Sequence, residues 1–534
     1  MKKNPLLLLL LCTHFFVSAQ FKTMAEGEVF REPESGFAKI VQLKNGYTIF
    51  CHVENKDGID LKIYDKNHRL KAVKHLEPNY GKLKGGSIEG IFEIKGDLVL
   101  LISEIDSKSP TLYRLIIDAN NGNLKKEETI AELIKVTYLK KYALAFGVSN
   151  PEFYVRKDPD SENYAVALFN SLESDRNKRI EVIFYGSDHK EISRAFYTSP
   201  EERYKYMRYI DMTVIGDQKV SILAYAYNTR SSGGKESELV IANLEAGAKS
   251  VKITELDFTK DRVITKGITR YNPVTKKVVM LAYTQENARK GEFSLFLSYI
   301  DPFSSTIENA VSPFPEKAYR KSLEVFDTKK GFRGGPQNLF INSDGSFTIV
   351  YESLTLEMHT SGSNNYTSTN TRLGSIAVSK YDLKGEEVST YFIPKEHLIL
   401  GTSLPSFYLS QREGTAQVLA GGNQFKSFAY LNGKDKSYVL FNDIERNVET
   451  LEKKNKLTCI TGVGECDGFY YTLDSKSIIP SRDFVFGKPD EKREHNLAIF
   501  SISDYDRDNN IYATLKLEKE GRQKGVKVVW MQPQ

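Results

Sequence analysis

The side chains able to do chemistry in this 534-residue chain match none of the common catalytic spacings. A zinc hydrolase would place His-Glu-x-x-His on one helical face, and no such run occurs. The eight histidines are dispersed, and His52, His189, His397 and His495 read as hydrogen-bonded strand or loop residues. A hydrolase nucleophile elbow needs Gly-x-Ser-x-Gly, whereas Gly85-Gly86-Ser87-Ile88-Glu89 lacks the closing glycine. Gly462-Val463-Gly464 misses the dinucleotide spacing, and there is no phosphate loop. Asp504, Asp506 and Asp508 offer oxygen ligands at alternate positions, as a calcium loop begins. Asn509 stands where the turn glycine belongs, however, and Leu515 where a bidentate glutamate would close the site. The segment reads as an acidic hairpin turn, with calcium as the alternative. No catalytic residue, metal or cofactor is assigned, and the chain is read as more a binder than an enzyme.

Binding chemistry is better represented. Tyr204, Tyr206, Arg208 and Tyr209 form one cluster and Tyr319 with Arg320 another, and Tyr and Arg concentrate at interface hot spots. Cys459 and Cys466 bracket the turn-rich Ile-Thr-Gly-Val-Gly-Glu, a spacing that suits a disulfide in an oxidising compartment. Cys51, in the strand-like run Tyr47–Val53, reads as a buried free thiol.

The compartment follows from residues 1–19. Lys2 and Lys3 precede an apolar run from Leu6 to Val17, and Val17-Ser18-Ala19 supplies small residues for cleavage before Gln20. That is a signal peptide, too short for a comfortable membrane span, and no later stretch is long and apolar enough for one. Residues 20–534 are therefore expected outside the cytoplasm, in the periplasm or, as the alternative, secreted. With 74 basic and 69 acidic residues the charge is nearly balanced, and no clustered basic face marks a nucleic-acid partner.

The elements that must position these residues are strands. Four- to eight-residue β-branched and aromatic runs alternate with Gly, Asn, Asp and Ser, and the best helix candidate is Glu127 to Lys141. Ala38–Lys44 turns at Asn45-Gly46 and returns as Tyr47–Glu54, a hairpin whose turn needs positive φ at both central residues. Ile59–Asp65 and Leu70–Leu76 complete four antiparallel strands, the size of one propeller blade. Comparable hairpins turn at Gly96-Asp97, Asp158–Asn163, Gly216-Asp217, Val274–Lys276, Asp344-Gly345, Asn432-Gly433 and Asp504–Asn510. Consecutive meanders must bury one apolar face per sheet against the next, and radial stacking does so while leaving only short edges. The expected fold is all-β: a single propeller of eight four-stranded blades, with seven as the alternative. The last unit shows three strands, so Glu28–Arg31 is expected to supply the fourth and close the ring. Two insertions, near 358–373 and 396–426, swell units six and seven as exposed loops.

Trp530 is the single tryptophan against 30 tyrosines, which excludes the propeller families built on repeated Trp. The hairpin within Ile341–Tyr351 resembles the Asp-Gly hairpins of exported bacterial propellers of the TolB-like or WD40-like periplasmic type. The leader ending Ser18-Ala19-Gln20 is similar to those of gliding bacteria that use type IX secretion. These resemblances imply an envelope protein partner and, in their most specific form, the plug subunit of the type IX outer-membrane translocon. The function expected on this reading is a non-catalytic protein-binding module of an envelope secretion or transport assembly. The alternative is a carbohydrate-binding or glycoside-active propeller, with Tyr faces for stacking and channel carboxylates as acid and base.

Overall fold

A computed structural model describes residues 21–83, 85–105, 109–133, 151–197, 203–228, 236–285, 293–309, 312–361, 366–474, 476–491, 494–520 and 523–534. Residues 1–19, expected to be a signal peptide, lie outside the described residues. Eight antiparallel sheets follow one another along the chain as the blades of a propeller. Their innermost strands are Phe37–Gln42, Gly86–Ile94, Glu152–Lys157, Tyr206–Ile215, Val263–Asn272, Gly335–Ile341, Ala429–Asn432 and Ala498–Asp506, for blades 1 to 8. Each is joined to the second strand of its blade at one of the eight hairpins read from the sequence. Gly46 (φ 84°) and the pair Lys95 (φ 49°) and Gly96 (φ 80°) adopt the left-handed conformation; Asn45 does not, so the first turn has one left-handed residue where two were expected.

Packing explains why the blades stack. Successive side chains of a strand point to opposite faces. In blade 1, Ile40, Phe50 and Tyr64 therefore pack toward blade 8, while Ile49, Cys51 and Val53 pack toward blade 2. The buried apolar residues fall into eight clusters, one at each blade–blade interface, including the one between blades 8 and 1 that closes the ring. Trp530 sits at that closure: its indole N–H donates to Thr48 Oγ1 of blade 1 at 2.9 Å, and the ring meets Tyr64 edge-on at 4.9 Å.

The termini share blade 8, with a different strand from the one expected. Lys22–Glu26 pairs with Gln523–Gln532, from Lys22 opposite Gln532 to Glu26 opposite Val529. Phe30 and Arg31 add only a short second pairing, opposite Val526 and Gly525. The helix expected from Glu127 is corrected. Leu124–Glu132 is the outer strand of blade 2, and the remainder of that stretch lies outside the described residues. Its alternating Lys, Glu and Thr side chains suit a half-exposed edge, and Glu127 accepts hydrogen bonds from the backbone N–H groups of Asn79 and Tyr80.

The Cys459–Cys466 disulfide is also corrected: both cysteines are free thiols. Cys466 is fully buried in the cluster between blades 8 and 1. Cys459 lies against the Arg372 guanidinium at 3.5 Å, and the next residue is drawn away by its N–H bond to the Glu396 carbonyl. The short loop therefore spans two neighbourhoods and does not fold back on itself.

The polar tract of blade 6 extends a hairpin. Phe347–Ser361 and Tyr366–Tyr381 stay paired out to Ser361 opposite Tyr366. The second long stretch, 396–426, turns inward to the channel. His397–Ile399 pairs with blade 6, Tyr408–Gly414 forms a helix, and Gln417–Val418 adds an edge strand to the inner strand of blade 1. The helix packs on the inner strands of blades 6, 2 and 3, and so plugs the wide hole that eight blades leave.

Candidate functional site

The inner strands present one row of side chains to the channel, and five of the eight carry a β-bulge, in blades 2, 4, 5, 6 and 8. A bulge inserts an extra residue and re-aims the side chains beside it. The plug helix divides this channel into two regions.

On the side of the inner hairpins lies a cavity of about 590 Å³, with Phe92, Tyr271 and Phe340 in its walls and Arg156, Arg270 and Glu413 among its polar groups. Glu413, from the plug, accepts from Arg270 at 2.7 Å and from the Asn338 amide at 2.5 Å. Asp211 is buried between two guanidinium groups: it pairs with Arg156 and lies 3.6 Å from Arg270. It also accepts the Thr269 N–H at 2.7 Å. These carboxylates are paired with guanidinium groups and so tie the plug and the blades together. The plug's other attachments are Lys39, which donates to the Arg412 carbonyl at 2.7 Å, and Tyr408, whose hydroxyl donates to the buried Glu352 at 2.7 Å. Glu352 is also paired with Lys395 at 2.8 Å, both side chains being fully buried.

Toward the opposite rim, where the inner strands begin, a second group gathers from blades 2 to 5. Glu89 is the extra residue of the bulge between Ile88 and Gly90. It is half-buried and accepts from the Ser103 hydroxyl at 2.6 Å. Burial raises its carboxyl to about 7, against the lowering effect of Ser103 and Ser87, and the charge of Glu152 adds to the rise. Glu152 opens the inner strand of blade 3, and its carboxyl is also raised by burial, while Lys266 and Arg208 pull it back. The Tyr154 hydroxyl donates to Glu152, and the Tyr154 ring stacks on Tyr209 at 3.7 Å. Lys266 has its ammonium lowered by burial and by Arg208, with Glu152 opposing. A carboxyl titrating near 7 beside a second carboxyl and two cations is an arrangement that can give and take protons at neutral pH.

The candidate binding residues divide between places. Arg208 and Tyr209 belong to this group, where Arg208 donates to the Ile264 carbonyl at 2.6 Å. Tyr206 is half-buried at the start of the same strand, and Tyr204 is buried just before it. Tyr319 and Arg320 sit far from them, on the helix Glu316–Phe326 packed against the outer strand of blade 6. Arg320 pairs one helical turn back with Glu316 at 2.7 Å, and Tyr319 borders a separate cavity of about 730 Å³. The three aspartates of the calcium alternative do not converge, which corrects that reading. Asp504 is drawn into blade 1 by the Gln42 N–H at 2.7 Å, Asp506 accepts the N–H groups of Asp508 and Asn509, and Asp508 pairs with Lys434 at 3.1 Å. Glu89, Glu152 and Lys266 escape motif reading because they come from three blades. The available signal was a charged side chain with apolar or small neighbours on an inner strand, as in Ser87-Ile88-Glu89-Gly90-Ile91.

No family model and no curated protein matches this chain. Some solved structures are similar to it at low identity. A polysaccharide lyase, Uly1, is similar at 9% identity with a TM-score of 0.39, covering 96% of this chain and 100% of that one. A PL25 ulvan lyase bound to -[GlcA(1-4)Rha3S]- is similar at 10% identity with a TM-score of 0.32, covering 70% of this chain and 78% of that one. A GH43 endo-arabinanase from Bacillus licheniformis is similar at 11% identity with a TM-score of 0.25, covering 52% and 98%. All three are named for acting on polysaccharides; the expectation of a non-catalytic protein-binding module is corrected and is not carried further. The type IX plug and the TolB-like assignment find no support among them.

Proposed function

We propose that this chain is an exported carbohydrate-active enzyme that cleaves glycosidic bonds where the inner strands of blades 2 to 5 begin. The observation that carries the reading is Glu89, a bulge carboxyl raised to about 7 next to the second carboxyl, Glu152. In the protonated form Glu89 donates to the leaving glycosidic oxygen as the C–O bond breaks, while Glu152, held by the Tyr154 hydroxyl, takes a proton from the water whose oxygen bonds to the anomeric carbon. Lys266 and Arg208 oppose the rise that burial imposes on Glu152, whereas no cation opposes it at Glu89, a difference that favours opposite roles for two chemically alike groups. The Tyr154 ring that carries this hydroxyl is stacked on Tyr209.

The test is turnover of a panel of neutral, uronate-bearing and sulfated polysaccharides, scored by new reducing ends and by the ultraviolet absorbance of unsaturated products. Cleavage of one class is expected, with Glu89→Gln and Glu152→Gln each losing about a hundredfold or more. Tyr319→Phe, far from the group, should leave the rate unchanged. No cleavage of any polysaccharide, or a fully active Glu89→Gln, would overturn the proposal.

A further inference from the structure

Three carboxylates converge at the rim of blade 4, away from the channel group. Glu238 is the second residue of the third strand Ser237–Glu245, Glu255 lies near the end of the fourth strand Lys252–Leu256, and Asp257 follows it. One carboxylate oxygen from each lies within 4.8 Å of the other two. Two charges compensate them: the Arg203 guanidinium is 2.9 Å from Glu238 Oε1 and 2.5 Å from Glu255 Oε2, and Lys260 is 2.7 Å from Asp257.

This compensation is incomplete at an informative point. Glu238 is fully buried and the neighbouring Tyr204 hydroxyl interacts with its carboxylate, yet its second oxygen, Oε2, has no partner within hydrogen-bond geometry. The Tyr197 hydroxyl, on the outer strand of blade 3, is buried and unpartnered as well, and it lies in the field of Glu238 and Glu255. A buried oxygen without a partner costs about 1–3 kcal/mol, and more when it is charged. Two such oxygens at one carboxylate cluster call for a ligand that accepts only oxygen donors and can engage both oxygens of one carboxylate. The three clustered residues include no nitrogen or sulfur ligand, which disfavours zinc and copper, and calcium is the hard cation that tolerates bidentate carboxylates in irregular geometry. Arg203 sits as a guanidinium where that cation would bind, and its side chain remains 37% exposed, free to leave toward solvent.

We propose that Glu238, Glu255 and Asp257 form a calcium site in which Arg203 stands in for the ion and is displaced when calcium binds. The experiment uses terbium as the luminescent probe, excited through the adjacent tyrosines, with calcium as competitor and the thermal midpoint as a second readout. The mature chain should show sensitised emission that calcium abolishes, and a higher midpoint in calcium than in chelator. Arg203→Gln should bind about tenfold tighter, because the site no longer spends most of its time occupied by its own guanidinium. Glu238→Gln keeps an oxygen for Arg203 and should lose binding while remaining folded, as its circular dichroism would report. Absence of emission and of any calcium-dependent midpoint in both the mature chain and Arg203→Gln would overturn the proposal. So would equal affinity of those two proteins, or full binding by a folded Glu238→Gln.

Discussion

Replacing Glu89 with Gln probes the proposed site through stability as well as rate. In the folded chain the carboxyl is raised from its ordinary 4.5 to about 7. That difference corresponds to about 3 kcal/mol of penalty on the ionised form in the fold, taken as an upper bound. The sign follows from proton binding. Below pH 4.5 the group is protonated in both states and has no effect on the balance. Between pH 4.5 and about 7 the unfolded chain releases the proton while the folded chain keeps it, so folding stability falls as pH rises. Above 7 the folded chain carries the buried charge and the loss is complete. Glutamine has no such transition and can still accept the Ser103 hydroxyl, so Glu89→Gln and the parent should be equally stable near pH 4. By pH 8 the variant should be more stable by up to about 3 kcal/mol. The assay is urea unfolding across that range, followed by the fluorescence of buried Trp530, with turnover measured on the same preparations. A more stable variant with a turnover loss of about a hundredfold or more is the signature of a charge held at a cost for chemistry. Parallel stability profiles from pH 4 to 8 would refute the raised carboxyl, and with it the acid–base assignment.

Three further outcomes follow from other parts of the fold. Thr48→Val leaves the Trp530 indole N–H buried without its acceptor and should cost about 1–3 kcal/mol in urea unfolding; a change under a few tenths would show that ring closure does not depend on this bond. Lys395→Met strands the buried Glu352 carboxylate beside the Tyr408 hydroxyl and should cost about 3–5 kcal/mol, most of it recovered in the double variant with Glu352→Gln. Equal losses in the single and double variants would mean that packing, not charge, holds the plug. Thiol titration of the unreduced mature chain should find Cys459 reactive in the native state. Cys51 and Cys466, buried and pushed up to about 12, should react only in denaturant; recovery of fewer than three thiols after unfolding would restore the disulfide.

The architecture was legible because its signals are local. Asn45-Gly46, Gly96-Asp97 and Asp344-Gly345 demand backbone conformations that few residues reach, and the alternating runs beside them state which face is buried. Eight such hairpins imply eight sheets whose apolar faces need neighbours, and a ring meets that need. Even the sharing of blade 8 by both termini follows from a unit one strand short. How the N-terminal residues complete it did not follow, since Lys22–Glu26 and Phe30–Arg31 both pair with Gln523–Gln532 and only the register shows that the first makes the longer run. The cysteine pair misled for a related reason: a six-residue spacing permits a bridge, but Cys466 gains more by filling the core between blades 8 and 1.

The candidate site lies at the other extreme. Glu89, Glu152, Arg208 and Lys266 are separated by up to 177 positions in the chain and share no motif. A carboxyl's proton affinity depends on the desolvation and the charges within a few ångströms, none of which its sequence neighbours report. The plug is similar: residues 396–426 read as a surface insertion because their composition is polar and irregular, whereas an eight-bladed ring has a hole to fill and the plug's ties run to blades 1, 5 and 6. Turn chemistry and residue alternation thus determine how many blades there are and how each is made, because those forces act between residues a few positions apart. Which side chains meet across the channel is decided only when the ring closes, because that closure sets distance and dielectric together.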